Sequence, residues 1–86
     1  MSFEDLKKGD KITRMLAGVV PMAMTVVVVE GDVIKCTCDG FITDPKATNQ
    51  LSTTWHFNTK SGAEIDHDMQ WGPQYGVTGS YLVRAQ

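Results

Sequence analysis

The sequence predicts an all-β fold, a small antiparallel barrel in a single domain spanning residues 1–86. Three observations predict it. The run Thr25-Val26-Val27-Val28-Val29 is β-branched and ends at the two-residue turn Gly31-Asp32; a second pair of short segments flanks Lys60-Ser61-Gly62; and no connecting helix separates the strands. The chain is 42% apolar and 21% charged, too short for two cores that would each need roughly 50 residues. Folding at this size buries only about 60% of the unfolded surface, so stability is narrow.

The elements follow in order. Ser2-Phe3-Glu4-Asp5 has capping-box spacing, which predicts a short helical turn from Ser2 to Lys8, stopped by Gly9-Asp10. Lys11 to Met15 reads as a strand with Ile12 and Arg14 on one face. Gly18 and Pro21 make Ala17 to Pro21 a bend. Residues Met15 to Val29 carry no charge, but Gly18, Pro21 and Thr25 interrupt them and they fall short of the roughly 20 residues of a membrane helix. They are expected to be neither a signal peptide nor a membrane span.

Ala23 to Glu30 and Val33 to Asp39 form a hairpin whose Gly31 suits a type II′ turn. An unbroken ladder sets Val29 against Ile34, Val27 against Cys36 and Thr25 against Cys38 on the inner face. Met22, Met24, Val26 and Val28 then form an outer face that is equally apolar. A sheet with one wet face should alternate, so this stripe predicts a cover, either from the chain itself or from a second copy in a homodimer. Gly40 to Ser52 reads as a long polar surface loop.

For Thr54 to Thr59 with Ala63 to His67, two registers compete. A four-residue loop opposes Phe57 to Glu64 and His56 to Ile65, mixing polar and apolar groups. A three-residue loop with a left-handed Gly62 opposes Phe57 to Ile65, Trp55 to His67 and His56 to Asp66, and is preferred. His67 to Ser80 is a glycine-rich crossing loop, and Tyr81 to Arg84 a closing strand. Five to six strands in this order favour an SH3-like barrel over an OB-like one.

Chemistry concentrates in few places. His56 opposite Asp66, with Glu64 on the same outer face, would hold the imidazole in one tautomer and raise its basicity, as a general base requires. Asp68 lies beside them, and His67 turns inward. The commoner role for such a pair is a solvated cross-strand contact worth about 0.2–1 kcal/mol. Cys36 and Cys38 point the same way about 6.5–7 Å apart, at the edge of disulfide reach. They are expected to be free, buried thiols in a reducing, cytoplasmic setting. A zinc site needs four ligands; with both cysteines inward, no metal and no cofactor is expected. Trp71 and Tyr75 flank Gly72-Pro73-Gln74 and either stack on a ligand or plug the barrel end.

No serine–histidine–acid order, phosphate cradle or dinucleotide fingerprint is present. Eight basic and ten acidic residues are evenly mixed, and Lys7, Lys8, Lys11, Arg14 and Lys35 are interleaved with Glu4, Asp5, Asp10 and Asp39, which argues against a nucleic-acid clamp.

The phrases Gly9-Asp10-Lys11-Ile12-Thr13-Arg14-Met15-Leu16-Ala17-Gly18, Pro21-Met22, Trp55-His56-Phe57, Ser61-Gly62-Ala63-Glu64-Ile65-Asp66, Trp71-Gly72-Pro73 and Thr78-Gly79-Ser80 cover about half the chain. Together they resemble a group of small uncharacterised bacterial proteins. The resemblance implies a compact β-rich cytoplasmic barrel and supplies no catalytic residue. The expected function is a non-enzymatic binding or protein-interaction module for a protein or small-molecule ligand, using Trp71, Tyr75, His56, Asp66 and Glu64. The alternative is a small enzyme using the His56–Asp66 pair, at a subunit interface.

Overall fold

The computed structural model describes residues 3–41 and 54–84, so the expected Gly40 to Ser52 loop lies almost entirely outside the described residues. Among the described residues six strands form one antiparallel sheet: β1 Lys11–Leu16, β2 Val20–Glu30, β3 Val33–Phe41, β4 Thr54–Asn58, β5 Glu64–Ile65 and β6 Tyr81–Val83. The order β5-β4-β3-β2-β1-β6 is a meander whose last strand returns beside the first. An Ala63–Tyr81 bridge then joins the two ends, and the sheet is a nearly closed barrel. Closure is reinforced by Glu64 N–H donating to Ser80 C=O at 2.8 Å and Leu82 N–H to Gly62 C=O at 2.8 Å.

The N-terminal segment is two consecutive turns rather than a helical one. Leu6 N–H reaches Phe3 C=O at 3.2 Å, and Asp10 N–H reaches Lys7 C=O at 3.0 Å. One turn of helix cannot recover its nucleation cost, and tertiary partners here take the same groups. Phe3 N–H donates to Thr59 C=O at 2.7 Å, while the Phe3 and Leu6 side chains close one end of the core. Asp5 pairs with Arg84, whose hydrogen bond holds the Asp5 carboxyl below its usual value, and the Arg84 guanidinium lies 5.2 Å from the centre of the Phe3 ring.

The expected bend at Ala17 to Pro21 is a tight hairpin: Val19 N–H donates to Leu16 C=O at 3.0 Å, and Pro21 stands in β2 opposite Met15. Among the described residues Pro21 lies beyond the last β3 pair, Met22 with Phe41, an edge position that tolerates proline.

The β2–β3 hairpin turns as expected. Gly31 has φ 60° and Asp32 an ordinary negative φ, as in a type II′ turn. Glu30, Val29 and Val28 pair with Val33, Ile34 and Lys35 in the expected register. Then the ladder slips at Val27. Beyond this bulge Val26 faces Cys36, Thr25 faces Thr37 and Met24 faces Cys38. Because side chains alternate, a one-residue slip exchanges the two faces. Val26 is 1% exposed and Val27 37%.

The outer-face assignment of Met22, Met24 and Val26 is therefore corrected: all three are core, packed with Ile12, Ile34, Cys36, Cys38, Phe57 and Leu82. Val28, before the slip, is half-buried. The stripe is covered within the chain and does not call for a second copy. The bulge has a structural purpose. An eleven-residue strand serving β3 on one edge and β1 on the other must bend, and a bulge supplies bend and twist. At that point Val26 exchanges backbone hydrogen bonds with Gly9 and Asp10. Cys36 and Cys38 are free and buried on one face, as expected.

The face exchange is testable by a pair of substitutions. Met24→Ala should cost about 2–5 kcal/mol in urea denaturation, whereas Val27→Thr should stay within about 0.5 kcal/mol of wild type.

Candidate functional site

The second hairpin adopts the register the apolar pattern disfavours. His56 faces Ile65 and Phe57 faces Glu64, with Asn58 N–H donating to Ala63 C=O at 2.9 Å. Gly62 is left-handed as expected, with φ 76°, but closes a loop one residue longer. Phe3 presses against it: a Cβ there would lie 2.6 Å from the ring.

The reason for this register is on the inner face. Glu64, expected outside, is buried, and its Oε1 accepts a 2.6 Å hydrogen bond from Arg14 Nε; side-chain exposures are 6% for Arg14 and 2% for Glu64. The Arg14 guanidinium also lies 3.1 Å from Met22 Sδ through Nη1 and 5.5 Å from the centre of the Trp55 ring. Removing a carboxylate and a guanidinium from water is costly, and only close pairing with further contacts offsets it. Burial raises the Glu64 carboxyl above its ordinary value of 4.5; the Arg14 hydrogen bond and charge oppose that rise, and the charge of Asp66 adds to it. Arg14, counted by sequence among a basic cluster, is committed to the interior.

The expected His56–Asp66 pair does not form in this register. Asp66 instead exchanges backbone hydrogen bonds with Trp71, at 3.1 and 2.9 Å. Its Oδ1 accepts the N–H groups of Asp68 at 3.0 Å and Met69 at 3.2 Å, so the carboxylate builds the turn from 67 to 70. This use of an aspartate side chain is an Asx turn. It pulls the chain away from β4 after only two paired residues.

Where the strands part, an open cleft of about 410 Å³ forms, lined by Thr54, Trp55, His56, Glu64, Ile65, Asp66, His67 and Asp68. Of the sequence-predicted site residues, it brings His56, Asp66 and Glu64 together. Trp71 and Tyr75 do not line it. Trp71 folds back, half-buried, onto Gly79, where a Cβ would collide with the indole at 2.0 Å. Tyr75 ends the short turn Pro73–Tyr75, and its hydroxyl meets His67 Nδ1 at 2.8 Å. His67, expected to turn inward, is exposed and stands between this cleft and a second hollow of about 370 Å³ lined by Asp32, Val33, Asn58, Ile65, His67, Pro73 and Gln74. Sequence reasoning missed Trp55 and Thr54 as cleft residues. The signal was their position at the start of β4, ahead of His56, the first residue that pairs with β5. Among the described residues, no group of three or more His, Cys, Asp or Glu side chains could hold a metal ion, and no helix is long and apolar enough to cross a membrane. Comparisons of the chain with protein-family models, curated proteins and solved structures return no match.

Two outcomes test the buried pair. Glu64→Leu leaves the buried Arg14 guanidinium with no acceptor on β5 and should cost about 3–5 kcal/mol, while Arg14→Met combined with Glu64→Leu should recover most of that loss in chemical denaturation. The raised Glu64 carboxyl also sets a pH dependence. The folded state holds this proton more tightly than the unfolded chain, so the contribution is fully present below 4.5 and is lost as pH rises through the folded value. Carboxyl carbon-13 titration should place Glu64 above the other glutamates, and the wild-type stability curve should show this decline relative to Glu64→Gln.

Proposed function

We propose that this chain is a non-enzymatic binding module that takes its ligand in the cleft between β4 and β5. The observation that carries the reading is the opening itself: two strands of one hairpin part after two pairs, and the gap exposes a half-buried indole, two imidazoles and two aspartates. Ligand sites are concave and combine apolar or aromatic walls with a few convergent polar groups. The walls here are rigid. Trp55 leans on the core, Glu64 is held by Arg14, and Asp66 is locked in its turn. The meander with β6 beside β1 supports an SH3-like arrangement, in which grooves beside the sheet serve as docking surfaces. The free, buried thiols support a reducing, cytoplasmic setting.

A nitrogen-15 NMR screen of a small-molecule fragment library tests the assignment. Binding fragments should shift the amides of Trp55, His56, Ile65 and residues 66–68, and His56→Ala should weaken them several-fold without measurable loss of stability. Fragments that cluster elsewhere on the barrel, or that are chemically converted by the protein, would overturn it.

A further inference from the structure

Resting on that cleft as the binding site, we infer that its ligand is an extended, positively charged peptide segment that adds to β4 where β5 leaves it. The backbone geometry carries the first half of this. In a continued β4–β5 ladder Asp66 would oppose Trp55 and His67 would oppose Thr54, but Asp66 pairs with Trp71 instead. Among the described residues no strand pairs with Thr54 or Trp55 on that side, while β3 pairs with them on the other through Thr37 and Cys36. Hydrogen-bonded and non-hydrogen-bonded pairs alternate along an antiparallel ladder. Asn58 turns both backbone groups to this side, its N–H donating to Ala63 C=O and its C=O accepting from Gly62 N–H, so counting back in twos gives Thr54 as the residue whose N–H and C=O face the gap. Exposed edge groups of this kind are a template for another strand, and extended peptides bind by supplying one.

Charge carries the second half. The cleft lining includes Glu64, Asp66 and Asp68 and no lysine or arginine. Arg14 compensates Glu64 from the interior, so Asp66 and Asp68 remain as the uncompensated pair at the mouth. An added strand presents alternate side chains to one face. A lysine or arginine on that face meets Asp66 and Asp68, and its aliphatic stem or the neighbouring residue covers the Trp55 ring. An anionic strand would set like charge beside the two carboxylates and a neutral one would bring no counter-charge, which is how the cleft discriminates.

Selection of displayed random decapeptides against the intact protein tests this. The enriched peptides should carry Lys or Arg at alternating positions and should shift the amides of Thr54, Trp55 and residues 66–68. N-methylation of alternate backbone amides should abolish their binding. Asp66→Asn combined with Asp68→Asn should weaken it about tenfold, as two exposed charge pairs would; asparagine keeps the side-chain oxygen that builds the turn. No enriched peptide, enrichment without basic residues, equal binding after N-methylation, or shifts confined to another face would each overturn the inference. Fragment binding in the cleft alongside a failed peptide selection would overturn the peptide and leave the binding site standing.

Discussion

The ion pair between Arg14 and Glu64 is the constraint on which the rest of the barrel depends. It joins side chains fifty positions apart in sequence, one on the first strand and one on the fifth, across the seam that β6 fills. Its inward placement forces Glu64 to oppose Phe57, and that fixes the β4–β5 register with its four-residue loop. The same register brings Ala63 against Tyr81 and Glu64 N–H against Ser80 C=O, which closes the sheet. A buried pair of this kind is weak evidence for stability, since well-packed apolar residues often do as well. Its consequence here is specificity. The register richer in apolar contacts would leave the Arg14 guanidinium inside the barrel without a carboxylate.

This explains why the β4–β5 register was not legible in the sequence while the Gly31-Asp32 turn was. The Gly31-Asp32 turn was legible because its geometry is local: a glycine at the first central position between two β-branched runs. The Val27 bulge was illegible for the opposite reason. Val26, Val27 and Val28 are identical side chains, so either face of β2 looks equally apolar, and only the three-dimensional path of a long, doubly paired strand decides which enters the core. Glu64 was placed outside because an alternating pattern treats a carboxylate as solvent-facing. Its partner lies far away in sequence, and no local rule reports a buried charge with a distant counter-charge.

The candidate site was partly legible. His56, Glu64, Asp66, His67 and Asp68 come from the two arms of one hairpin, so either register brings them to one neighbourhood. What sequence could not supply was their chemistry. A slip of one residue turns a predicted histidine–carboxylate pair into His56 opposite an isoleucine and a carboxylate spent on backbone N–H groups. Trp71 and Tyr75 were recognisable as aromatics on a turn, but both are drawn into the loop's own packing, through Gly79 and His67.

The short segment that closes the barrel also opens the cleft. The bridge at Ala63 and the hydrogen bond at Glu64 hold one edge of β5 to β6, while its other edge keeps β4 for two pairs only. Asp66 ends that pairing by turning the chain onto Trp71. What remains of β4 beyond His56 then has a neighbour on one side only among the described residues. A barrel that closes with so short a fifth strand therefore leaves this edge of β4 unpaired among the described residues. The aspartates that make the turn also set the charge beside that edge, so one short segment determines both the shape of the opening and the sign of what it attracts.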